Sequence, residues 1–119
     1  MEKIFIIGDV HGCFYSLEKL LESWDKENEQ LIFIGELIDR GNFSPETVRL
    51  VKQLVKNEDA VCLMGNHEYA VIKCILIDKT ETWFKEMGQV TLKQYKDRGF
   101  RIKNDAKWFD DLPLVWQNE

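Results

Sequence analysis

Three short segments hold side chains whose types and spacing could do chemistry. In Gly8-Asp9-Val10-His11-Gly12 a carboxylate and an imidazole stand two residues apart, so both could ligate one ion between glycines that let the backbone turn tightly. Gly35-Glu36-Leu37-Ile38-Asp39-Arg40-Gly41 places two acids beside an arginine, whose planar fork can donate two parallel hydrogen bonds to a phosphoryl oxyanion. Gly65-Asn66-His67-Glu68 offers the carbonyl oxygen of Asn66 and the titratable proton of His67. Taken singly, each has a plainer reading: a capping Asp with a surface His, a solvated Asp–Arg loop, an Asn turn opening a helix. It is their occurrence together that points to a site.

The elements that must position them are legible in the apolar pattern. Ile4–Ile7, Leu31–Ile34 and Ala60–Met64 are continuous β-rich runs, each halted by a glycine, and the first reads as a strand buried on both faces of a parallel sheet. Between the first two, Phe14, Leu17, Leu20, Leu21 and Trp24 recur at helical spacing. Between the second and third, Ser44 reads as an N-cap with Pro45 as the first helical residue, leading into Val48, Val51, Leu54 and Val55. The order β-α-β-α-β predicts parallel strands joined by right-handed crossovers, so the three polar segments emerge at one sheet edge, where open α/β sheets bind ligands. Downstream, helix is expected over about 67–77, within 82–98 and near 105–111. Asp111-Leu112-Pro113-Leu114-Val115-Trp116 then reads as a loop feeding a new strand.

Composition bounds the function further. The chain has 119 residues, 45% of them apolar, as expected of one small domain. A formal net charge of −5 gives none of the basic footprint that nucleic acid or an anionic membrane would require. The longest apolar run, Ala70 to Ile77, is broken by Lys73 and falls far short of the ~20 residues of a membrane span. No secretory h-region follows Met1, and the three cysteines Cys13, Cys62 and Cys74 suit a reducing compartment as buried or half-buried thiols. A cytoplasmic protein is expected. Neither Gly-Lys-Ser/Thr nor Gly-x-Gly-x-x-Gly follows any strand, which sets aside P-loop and dinucleotide-binding proteins.

Together the three segments resemble, in order, the Gly-Asp-x-His-Gly, Gly-Asp-x-x-Asp-Arg-Gly and Gly-Asn-His-Glu blocks of the calcineurin-like metallophosphoesterases. The Asp-Arg-Gly form is similar to the phosphoprotein phosphatase branch, which includes bacterial and phage serine/threonine phosphatases and diadenosine tetraphosphatases. The resemblance implies an α/β fold in which residues 1–119 are the truncated βαβαβ N-terminal half of an α/β sandwich. It implies Asp9 and His11 on a first metal, Asn66 on a second and Glu36 bridging both. His67 would protonate the leaving oxygen, oriented by Asp39, while Arg40 would hold the phosphoryl group. Two divalent ions are implied, manganese first and iron or zinc as alternatives, activating water for hydrolysis of a phosphorylated protein or a small phosphoester. A dinucleoside polyphosphate is the alternative substrate.

Two departures qualify the expectation. The family's bridging residue is aspartate, whereas Glu36 carries its carboxylate about 1.5 Å further from the backbone, and misplacements near 1 Å can cost on the order of a hundredfold in rate. Relatives also supply later histidines to the metals, and none follows His67 here. An inactive remnant that binds metal or phosphate weakly is therefore the rival from another class. Self-association through an exposed sheet is expected of such a half.

Overall fold

The computed structural model describes residues 3–77 and 82–117. Three parallel strands, β1 (Lys3–Ile7), β2 (Glu29–Phe33) and β3 (Val61–Cys62), form one sheet in the order β1-β2-β3. The register sets Lys3 opposite Glu29, Ile7 opposite Phe33, and Phe33 opposite Cys62. Parallel neighbours require a long crossover, supplied by α1 (Phe14–Leu21) and α2 (Ser44–Asn57). The chain is thus mixed α/β, with helices flanking a parallel sheet.

Side-chain alternation decides which sheet face is covered. Ile7, Leu31, Phe33 and Cys62 join Leu17 of α1, Val48 and Val51 of α2 and residues of later helices in one buried cluster. On the opposite face Ile32 of the central strand is buried, but Ile4 and Ile6 of β1 are exposed, Ile6 at 60%. The expectation that the first strand is buried on both faces is therefore corrected. β1 is an edge strand, and what covers Ile32 does not reach Ile6.

The second half of the chain is helical. α3 (Asn66–Ile72) runs into a π-helical turn, Lys73–Ile77, and a second π turn, Phe84–Gly88, leads into α4 (Gln89–Asp97) and α5 (Ile102–Asp110). After α5 the chain is a loop through Gln117, and the strand expected there does not form among the described residues. The Met64 N–H donates to the Pro113 carbonyl at 3.0 Å, which lays this loop beside the end of β3. Two local readings also change. α2 is capped by Phe43, with Ser44 already helical and making no cap hydrogen bond. Cys13 is exposed, whereas Cys62 is buried, and burial pushes its thiol well up.

Candidate metal centre

The three glycine-stopped loops pack backbone against backbone beyond the strand ends. His11 N–H donates to the Glu36 carbonyl at 2.9 Å, Gly12 N–H to Leu37 at 2.8 Å, and Gly41 N–H to the His11 carbonyl at 2.8 Å. Gly35, at φ +96°, lies so close to the third loop that a Cβ would come within 2.4 Å of the Gly65 nitrogen. Only glycine meets both the positive φ and that contact.

A carboxylate holds the second and third loops together. Glu68, fully buried, accepts Glu36 N–H at 2.7 Å and Gly65 N–H at 2.9 Å on Oε1, and Leu37 N–H at 2.9 Å on Oε2. Its Gly65 bond caps the first turn of α3 from the N3 position, with glycine offering no side chain in return. Burial pushes the Glu68 carboxyl above its ordinary pKa, against the pull of the three N–H donors, and the nearby Glu36 adds to the rise. Glu68 closes the Gly-Asn-His-Glu segment, which by itself assigns it no task. Its place in the first turn of α3 was the available signal.

His11, Glu36 and His67 each present a ligand atom, and these atoms lie within 4.8 Å of one another. Glu36 Oε2 is 4.0 Å from His11 Nε2 and 3.4 Å from His67 Nε2. The two rings meet edge to face, their centroids 4.7 Å apart. His11 Nδ1 faces the Ile38 carbonyl at 2.8 Å, and His67 Nδ1 faces Asp39 Oδ2 at 2.7 Å. A proton on each Nδ1 leaves Nε2 with a free lone pair toward Glu36, the arrangement that orients histidine on a metal. One carboxylate and two imidazoles form a donor set suited to a borderline divalent cation.

The other expected residues differ in exposure. Asp9 is exposed, and its carboxylate is outside the mutual 4.8 Å distance. Asn66 is exposed as the first residue of α3, and Arg40 is exposed at the end of the second loop. Asp39 is fully buried. Besides His67, its carboxylate accepts Trp83 Nε1 at 2.7 Å and the Thr91 hydroxyl at 2.5 Å, and its own N–H donates to Ser44 Oγ at 3.0 Å. Ser44 and Gly41 are fixed in turn by Gln94, at 2.9 Å each. Trp83, Thr91 and Gln94 were missed, because nothing local marks residues that reach back some 44 to 53 positions.

Backbone strain gathers at the same place. Among the described residues, six other than glycine have positive φ, and Asp9, His11, Glu36, Asp39 and Arg40 are five of them, at 48°, 45°, 62°, 72° and 74°. Such conformations cost about 1 kcal/mol or more each and persist where the surroundings over-determine them, typically at functional sites.

The family profile described as calcineurin-like phosphoesterase matches residues 2–118. A symmetrical bis(5'-nucleosyl)-tetraphosphatase of Pasteurella multocida is 38% identical over 120 residues, covering 97% of this chain and 40% of that protein. An asymmetrical bis(5'-nucleosyl)-tetraphosphatase PrpE of Oceanobacillus iheyensis is 43% identical over 75 residues, covering 55% of this chain and 30% of that protein. Among solved structures, a putative diadenosine tetraphosphatase superposes with a TM-score of 0.62 at 26% identity, covering 92% of this chain and 42% of that one. A serine/threonine phosphatase from Saccharomyces cerevisiae, similar to human PP5, gives 0.62 at 27% identity, covering 92% and 33%. The chain thus spans well under half the length of these proteins.

Proposed function

The chain belongs to the calcineurin-like phosphoesterase family, and on that premise we propose that residues 1–119 form the N-terminal, metal-binding part of a hydrolase acting on dinucleoside polyphosphates. The observation that carries this reading is Glu36 Oε2 set between the Nε2 atoms of His11 and His67 at 4.0 and 3.4 Å. The relatives' name, bis(5'-nucleosyl)-tetraphosphatase, favours this substrate over the phosphoprotein that the Asp-Arg-Gly motif first suggested. A phosphoprotein is the second reading, favoured by the likeness to the yeast phosphatase. An odd number of cysteines, with no Cys-x-x-Cys pair among them, suits work in the cytoplasm.

Divalent ions, manganese first, would supply charge neutralisation at the phosphoryl oxygens and a more acidic water. His11 and Glu36 would serve as ligands, with Asp9 and Asn66 as the further donors that the family pattern implies. Asp39 would hold His67 through Nδ1, and a ring carrying a proton on both nitrogens would hand the one on Nε2 to the leaving oxygen. Arg40 at the rim clamps the phosphoryl group through its paired N–H donors.

Manganese at about a hundred times its dissociation constant is expected to stabilise the chain by ~2.7 kcal/mol, read as a rise in melting temperature that EDTA reverses. Joined to the C-terminal portion of a matched relative, the chain is expected to hydrolyse diadenosine tetraphosphate, and Glu36→Asp to raise the rate by ~10–100-fold. Absence of manganese binding would sink the proposal. Binding without turnover in both forms would leave the inactive remnant that Glu36 suggests.

A further inference from the structure

Where the C-terminal end of α4 meets the start of α5 and α2 lies a cavity of about 550 Å³, lined by none of the metal-cluster residues. Its wall carries Arg49, Lys52, Arg98 and Arg101, with Asp105 as the sole carboxylate lining it. Gathering four cations in a chain of net charge −5 runs against their mutual repulsion. Local pairing compensates only some of them. Asp105 is buried with both oxygens engaged, one by Lys52 and the other by the Tyr95 hydroxyl at 2.6 Å. Arg98 reaches Glu46 at 2.8 Å. Arg49 lies over the ring of Phe100, 5.9 Å from its centroid, and neither it nor Arg101 has a carboxylate partner among the described residues.

We propose that this cavity binds a multivalent phosphate anion, a chain of two or three linked phosphoryl groups, independently of the metal centre. Guanidinium forks match phosphoryl oxygens through paired hydrogen bonds, and several such groups around one concavity favour a compact anion of high charge density over an extended acidic peptide. The Arg49 guanidinium is already held by an aromatic face, so ordering it on a ligand costs less side-chain entropy. Lys52, held by Asp105, adds a fixed positive charge to the wall.

Calorimetric titration of the whole chain with sodium tripolyphosphate, in EDTA and at physiological salt, tests the site without any contribution from bound metal. One saturable site per chain is expected. Arg49→Ala combined with Arg101→Ala should weaken it at least tenfold while leaving the melting temperature unchanged, since both side chains are exposed. His11→Ala should leave the affinity as it is, and the Asn104 side-chain amide should shift in nitrogen-correlated NMR spectra on titration. Unsaturable binding, equal affinity for a hexaglutamate peptide, or a loss that follows His11→Ala but not the arginine pair would each overturn the proposal. None of these outcomes bears on metal binding by the family's loops, so the two readings fail separately.

Discussion

A single buried carboxylate sets how firmly two of the three loops are joined. Glu68 satisfies N–H groups of Glu36, Leu37 and Gly65, none of which has a strand partner where it stands. Glu68→Gln keeps the shape but turns an NH2 toward at least one of those donors. Placing donor against donor in a buried site leaves an orphan whose desolvation costs about 1–3 kcal/mol. The urea midpoint of the variant is therefore expected to fall by that free energy at unchanged slope, and manganese affinity to fall with it because Glu36 is no longer anchored. A midpoint equal to wild type would mean that the staple contributes nothing.

At the scale of elements, α4 and the turn before it act as a brace for the second loop. Trp83 and Thr91 supply two of the hydrogen bonds that fix the Asp39 carboxylate, and Gln94 fixes Ser44 and Gly41. Trp83→Phe removes one donor from a fully buried carboxylate, so a loss of about 1.5–3 kcal/mol is expected in denaturant unfolding. In the chain joined to a relative's C-terminal portion kcat should drop more than KM changes, since the Asp39–His67 contact loosens while the phosphoryl contact proposed for Arg40 is untouched. Equal kcat would show that His67 needs no such brace. This is also the scale at which the sequence was least readable. The strands and the first two helices announced themselves by apolar period and by the glycines that stop each strand. Ser44 followed by Pro45 looked like a helix cap because that pair has a strong local meaning, yet the hydroxyl is spent on Asp39 instead. Thr91 and Gln94 look like ordinary polar helix residues until the chain has folded back more than fifty positions to bury them.

At the scale of the whole molecule, the sheet is finished on one side only. The face carrying Ile7, Leu31, Phe33 and Cys62 is packed under helices, whereas Ile4 and Ile6 on the edge strand face outward. Exposed apolar side chains on an unpaired edge favour pairing with another chain. Self-association that grows with concentration is expected in sedimentation velocity runs, and Ile6→Glu should shift the distribution toward monomer without lowering the melting temperature; an unchanged distribution would place any contact elsewhere. Five residues of the first two loops stand in left-handed conformations, held by hydrogen bonds between the loops and from Glu68 and Ser44. Replacing Arg40, exposed at φ 74°, by glycine is expected to add about 1 kcal/mol of stability, while the arginine proposed to hold the phosphoryl group is lost. Selection for robustness alone, in a laboratory library or in a lineage freed from catalysis, would drift toward glycine at such positions, so the side chains still standing there would mark a chain kept for its chemistry.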